Sequence, residues 1–252
     1  MFPLRDENPT ELVPLFTVAL IAANVAVWLF VQGAGASGPF LQSLCAYGTI
    51  PGEITGVLSP GEWVSLGPVR CRTGGLVEGT LITSMFLHGG WGHLIGNMWF
   101  LWVFGNNIED SMGHFRFLLF YLLAGLIAAG AHILSVPGSG VPTVGASGAI
   151  SGVMGAYLIL YPRVRVYTLV IFVIFVRVFA LPAFVLLGYW FVLQLFMGAA
   201  GGSMGGGVAF WAHVGGFLAG VVLVKPFARR LLVAAKRGRR KLTRDDIGRG
   251  WW

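Results

Sequence analysis

Charge is what this chain has least of. Only 11% of its 252 residues are Asp, Glu, Lys or Arg, where a soluble domain carries about 25%. That shortage excludes an ordinary soluble domain and points to a chain folded in a bilayer. Acidic residues are scarcer still, 10 against 17 Lys and Arg. None lies in the apolar spans at the depth of the polar residues discussed below, which argues against carboxylate chemistry and against an acidic ion path. No His-Glu-x-x-His occurs, so a zinc-protease helix is excluded. The two cysteines, Cys45 and Cys71, cannot form a four-ligand zinc site by themselves. They read either as one disulfide in an oxidising compartment or as free buried thiols. No metal or cofactor is expected.

The net charge of +7 is unevenly placed. Ten of the 17 Lys and Arg lie between Lys225 and Arg249, including "KRGRRK" at 236–241. No nucleic-acid module accompanies them, and they follow an apolar segment directly. Residues 226–252 therefore read as a basic cytoplasmic tail beside the bilayer, with no nucleic-acid partner. The N-terminus, "MFPLRDENPTE", is polar and mixed in charge, so the first apolar segment reads as a signal anchor.

Apolar sequence is what the chain has most of, at 56%. A helix needs about 20 such residues to cross a bilayer, with a range of about 17–25. Six spans are predicted, at 14–32, 91–108, 115–134, 147–161, 181–197 and 208–224. They make residues 1–225 an all-α membrane domain of six transmembrane helices, with a long outer loop between the first two. The run 166–198 is too long for one span, and Arg177 and Pro182 divide it. Residues 163–180 are therefore placed at the inner surface, where "RVRVYTLV" is β-branched and need not be helical. An even number of spans puts both termini on one side, and the basic tail makes that side the cytoplasm.

Few polar groups remain inside the spans. They are His88, His93 and Asn97 around the second, Ser147 opening the fourth and His213 in the sixth; Asn24 in the first reads as helix-packing glue. At about 1.5 Å per residue, Ser147 lies ~22 Å above the inner end of its span, and His213 and Asn97 each lie ~18 Å above theirs. Three helices thus deliver Ser, His and Asn to nearly one depth. Small residues let them meet: Gly148, Gly152 and Gly155 on span four, and Gly216 and Gly220 on span six below His213. A close approach would bring Ser147 within reach of His213 as nucleophile and general base. Ser147 at a helix start has free N–H groups and the positive dipole end beside it, and Asn97 and His93 could add oxyanion donors. With no carboxylate to orient His213, an aromatic or hydroxyl neighbour must do so.

The stretches "TSMFLHGGWGHLIGNMWFLWVFGNNIE", "GASG" at 145–148 and "AFWAHVGGFLAG" at 209–220 resemble the rhomboid family of intramembrane serine proteases. The order His-x4-His-x3-Asn, Gly-x-Ser-Gly, Ala-His-x2-Gly-x3-Gly on successive predicted spans carries the likeness. The resemblance implies Ser147 as nucleophile, His213 as base, and Asn97 with His93 as the oxyanion-stabilising pair. It implies a structural His88, glycines 145 and 148 flanking the nucleophile, and Glu109 closing the cytoplasmic end of span two. It further implies transmembrane protein substrates and a multi-pass place in a bacterial inner membrane. The alternative is a non-catalytic rhomboid-like protein that binds and escorts transmembrane clients. Three positions depart from the family pattern. Ser151 stands where many members place an aromatic against the catalytic histidine, and Gly79 and Thr80 stand where many carry a Trp-Arg pair.

Overall fold

The computed structural model describes residues 1–66, 69–74, 77–172, 175–201 and 208–238. A short strand, β1 (Phe2–Asp6), precedes α1 (Leu15–Ala26), which continues as a π-helical turn to Val31. The outer segment holds α2 (Ser37–Tyr47), the one-turn α3 (Pro51–Ile54), the hairpin β2 (Trp63–Leu66) and β3 (Val69–Arg72), and the one-turn α4 (Thr80–Thr83). Then come α5 (Trp91–Met112), α6 (His114–Ser135) and α7 (Ser147–Leu160). A second hairpin, β4 (Arg165–Phe172) and β5 (Phe175–Pro182), leads to α8 (Ala183–Ala199), α9 (Phe210–Phe227) and α10 (Arg230–Arg237).

The expectation of an all-α chain is corrected by these strands. β4 is rich in β-branched residues (Val166, Thr168, Val170, Ile171), which suit a pleated surface better than a helix. It pairs antiparallel with β5 from Arg165↔Pro182 onward, and on its other edge with β1 from Phe2↔Leu169. Pro3 is tolerated because β1 is an edge strand. The division of the long apolar run also stands, since strand gives way to helix at Pro182–Ala183. Cys45 and Cys71 form a disulfide that ties α2 to β3.

Two helices, α6 and α9, are long and apolar enough to cross a membrane; the helices at Leu15–Val31, Ser147–Leu160 and Ala183–Ala199 are apolar but shorter. The protein is apolar outside as well as inside. Phe30, Leu134, Phe196 and Val222 are 84%, 82%, 68% and 68% exposed. Helices that are apolar all round belong in lipid or in a deep core, and these faces are at the surface.

The core gathers around α7, buried along nearly its whole length and packed against α9, α6 and α5. Leu101, Phe104, Ile108, Phe117, Phe120 and Tyr157 are fully enclosed in it. α7 begins at Ser147, with Ala146 as its N-cap, and ends before Pro162, which bars helix at Tyr161. Its entry loop is held to the outer segment by a two-way bridge between Thr49 and Thr143.

At the far end of α7, polar groups knit the chain together. Asp6 accepts from the Tyr157 hydroxyl and from Asn107 Nδ2. Burial pushes the Asp6 carboxyl up to about 6, against the lowering pull of the Tyr157 hydrogen bond and Lys236. Between its ordinary value and about 6, the folded chain holds a proton that the unfolded chain has released. Stability contributed here is therefore present at low pH and falls as pH rises through that window. Asp6→Asn keeps an acceptor and removes the buried charge. It should unfold at a higher temperature than wild type at pH 7.5 and at the same temperature below pH 4. A lower unfolding temperature at pH 7.5 would mean that the attraction to Lys236 outweighs burial.

Candidate active site

Ser147 opens α7, and His213 sits in the first turn of α9. Their side chains meet: His213 Nε2 lies 2.8 Å from Ser147 Oγ. The glycines permit this. A Cβ on Gly216 would fall 2.0 Å from the carbonyl oxygen of Gly148, and one on Gly220 would fall 1.9 Å from that of Gly152. The backbones of α7 and α9 are thus in direct contact where the two sequence motifs predicted a small-residue face. Ser147 is half-buried, so a substrate can reach it, while Gly148 behind it is buried.

His213 is held from its other side by a residue that sequence reasoning missed. Its Nδ1 lies 2.8 Å from Gln194 Oε1 on α8. An amide oxygen accepts from Nδ1–H, which leaves the Nε2 lone pair free to accept from the Ser147 hydroxyl. Trp190, one turn earlier on the same face of α8, packs its ring against the imidazole at 5.7 Å between centroids and 38° between planes. Ser151 does not take part. Its hydroxyl donates to the carbonyl of Ser147, 2.6 Å away in its own helix, the usual local choice of a serine inside a helix. Two α8 side chains therefore occupy the place that the sequence left open for an aromatic or a hydroxyl. The available signal was their spacing: Trp190 and Gln194 are four apart, and Gln194 is a buried amide in an otherwise apolar helix.

The remaining predicted residues surround the pair. The ring of His93 faces Gly145, where a Cβ would fall 2.9 Å from His93 Nε2. Gly145 also has φ +130°, a second reason for glycine there. The N–H of Gly89 donates to His93 Nδ1 over 3.2 Å. The proton of a neutral His93 therefore sits on Nε2, turned toward the Gly145 side. Asn97 lies one turn along the same face of α5. It is buried, and its Nδ2 has no partner among the described residues. An unused buried donor is costly unless a ligand is to fill it. His88 is fully buried and packs edge-on against His93, with 5.2 Å between centroids. Its own N–H and C=O are both held by the side chain of Gln32 at 2.8 Å.

Glu109 lies at the other end of α5. It accepts from the N–H groups of Phe16 and Thr17 at 2.9 and 2.8 Å and from the Thr17 hydroxyl at 2.7 Å. It thus caps the start of α1 and stays remote from the pair. Asn24 does not bridge helices as expected; its amide donates to Leu20 in its own helix at 2.7 Å. Of the glycine-rich stretch "GAAGGSMGGG" at 198–207, residues 202–207 lie outside the described residues, as do 239–252 of the basic tail. Among the described residues, no cluster of three or more His, Cys, Asp or Glu could hold a metal ion.

A family model described as the rhomboid domain matches residues 78–230, which include all of these site residues. The chain belongs to the rhomboid family. Similar proteins include rhomboid protease GluP of Bacillus subtilis, 29% identical over 88% of this chain and 38% of that protein. The putative rhomboid protease YdcA of the same organism is 32% identical over 62% of this chain and 68% of its own length. A chloroplastic relative, rhomboid-like protein 11 of Arabidopsis thaliana, is 34% identical over 57% of this chain. The chain spans 38% and 50% of the length of GluP and of the chloroplastic protein. Rhomboid family members are integral membrane proteins and, in general, intramembrane proteases. The lipid-like exterior of this rhomboid is thereby accounted for.

Proposed function

We propose that this rhomboid is a serine endopeptidase that cleaves transmembrane proteins near the outer face of the membrane, through a Ser147–His213 dyad and an acyl-enzyme. The observation that carries the reading is the 2.8 Å contact between His213 Nε2 and Ser147 Oγ. In this reading all six apolar segments span, both termini lie in the cytoplasm, and the membrane is a bacterial inner membrane. The Cys45–Cys71 disulfide then faces the oxidising side.

A substrate helix reaches the site sideways and unwinds locally, aided by weak helix formers such as Gly or Ser. Access between α5 and α8 is supported by the packing of α8 on α9 and α7. His213 takes the Ser147 proton as Oγ attacks the peptide carbonyl. The oxyanion that forms meets three donors: the Ser147 N–H, Asn97 Nδ2 and His93 Nε2–H. One such donor is worth about 2.7–4 kcal/mol in the transition state. His213 passes its proton to the leaving amine, and water then hydrolyses the acyl-enzyme. Gln194 takes the orienting place that an Asp holds in a triad, without the charge.

The test uses purified protein in liposomes with a single-span substrate whose cleavage site is mapped by mass spectrometry. A cut near the outer end of the span is expected. Binding of the substrate without cleavage would favour an escort protein.

Gln194 gives a sharper expectation. Gln194→Leu removes the acceptor and should slow fluorophosphonate labelling of Ser147 on the order of 10²-fold, the effect of a small misplacement. Gln194→Glu retains an acceptor and should label far faster than the Leu variant. Equal rates in wild type and the Leu variant would show that Trp190 alone fixes the ring.

A further inference from the structure

A groove of about 440 Å³ opens at the ends of α7 and α9 farthest from Ser147 and His213, under α10. Its walls are apolar, built from Ile159, Leu160, Val224 and Val233, and its rim carries Lys225, Arg230 and Arg237. No acidic residue lines it. All three cations are exposed. Arg237 is aimed by its hydrogen bonds to the Leu160 carbonyl, at 3.1 Å from Nε and 2.7 Å from Nη2. That leaves its remaining N–H groups for another acceptor.

The surroundings say what kind of molecule fits. α10 is amphipathic: Leu232 and Val233 are buried against the bundle, while Leu231 is 64% exposed beside Arg230. A helix with apolar residues turned outward among basic ones lies in the headgroup region of a bilayer. Ile159 is itself 40% exposed, so the apolar wall continues onto the outer surface of the bundle. A free phosphate would use the cations and leave the apolar wall wet. An acidic peptide would lack the acyl chain that the wall can cover. We propose that this groove binds one anionic phospholipid of the surrounding leaflet, with its phosphate between Lys225, Arg230 and Arg237 and an acyl chain along Leu160 and Val224.

Native mass spectrometry of the full chain in a neutral detergent tests this without any proteolysis, using phosphatidylglycerol and phosphatidylcholine as probes. The expected result is one retained phosphatidylglycerol that neither phosphatidylcholine nor excess inorganic phosphate displaces. Lys225→Gln with Arg230→Gln should weaken retention about 25-fold, each surface cation being worth about fivefold. Lys241→Gln with Arg244→Gln, outside the described residues, should leave it within about twofold of wild type. Equal retention of phosphatidylcholine, or displacement by inorganic phosphate or by an acidic peptide, overturns the proposal. So does equal weakening by the Lys241/Arg244 pair, which would mean diffuse attraction by the tail. The wild-type lipid comparison stands even if a variant fails to fold.

Discussion

Ser147→Ala should abolish fluorophosphonate labelling and substrate cleavage together, and His213→Ala should lower both on the order of 10⁴–10⁶-fold. The two losses have different origins. Without Oγ no acyl-enzyme can form. Without the imidazole Nε2, 2.8 Å from Oγ, the hydroxyl keeps its proton and is a weak nucleophile. Because the two residues act as a unit, the double variant should lose no more than the Ser147 single variant. Asn97→Ala belongs to a different class. It leaves the dyad intact and removes one oxyanion donor, at a cost of about 10²–10³ in turnover. Cleavage that survives in Ser147→Ala would end the serine-protease reading, and an escort protein should bind clients unchanged by that substitution.

Gly220→Val, seven residues along the helix from His213, should cost on the order of 10²-fold in rate without touching the site. The added Cβ would lie 1.9 Å from the Gly152 carbonyl oxygen and 2.6 Å from its carbon. Those are backbone atoms, so no side chain can turn aside and the helices must part. Gly155 sets the same limit from the other helix, with a Cβ 2.2 Å from the Phe217 oxygen. A separation of about 1 Å is enough to cost 10²-fold in rate, and the lost packing should lower the unfolding temperature as well. Gly188→Ala is the control. A Cβ there meets nothing within 4 Å, and alanine favours helix over glycine by about 0.5–1 kcal/mol. It should be neutral or stabilising. Full labelling and an unchanged unfolding temperature in Gly220→Val would show that the α7–α9 contact can open without consequence.

The contact between Ser147 and His213 was legible because two sparse signals coincide. A polar residue in an apolar helix is conspicuous, and spacing of three or four marks which face it shares with glycines. His213 satisfies both, three residues before Gly216 and seven before Gly220; Ser147 satisfies the first and opens the helix that carries Gly148, Gly152 and Gly155. Gln194 satisfies only the first, since an amide among large apolar side chains can serve packing alone, and nothing in its own helix indicates which histidine it will face. Ser151 misled in the other direction. Its hydroxyl was within plausible reach of His213, yet the carbonyl one turn back is always nearer. The strands divide similarly. β4 announces itself by β-branched residues, whereas "FPLRD" becomes β1 only because β4 offers it an edge more than 160 positions away. The disulfide was one of two open readings, because two cysteines in a loop are compatible with pairing and with burial.

Asp110 accepts from the N–H groups of Glu11 and Leu12 at 2.8 and 2.9 Å, and it pairs with Lys236 at 2.5 Å. Both charges of that pair are almost fully enclosed, with 3% and 1% of their side chains exposed. A buried charge that lacks its partner is worth several kcal/mol of instability. Chains are made from the N-terminus, and their segments fold in that order. The carboxylate is therefore in place long before its counter-ion has been synthesised. Until residue 236 has left the ribosome, this end of the bundle holds a charge that only water or a pair of backbone amides can satisfy. α10, the last helix among the described residues, thus acts as a clasp: until it docks and brings Lys236 to Asp110, this end of the bundle stays open.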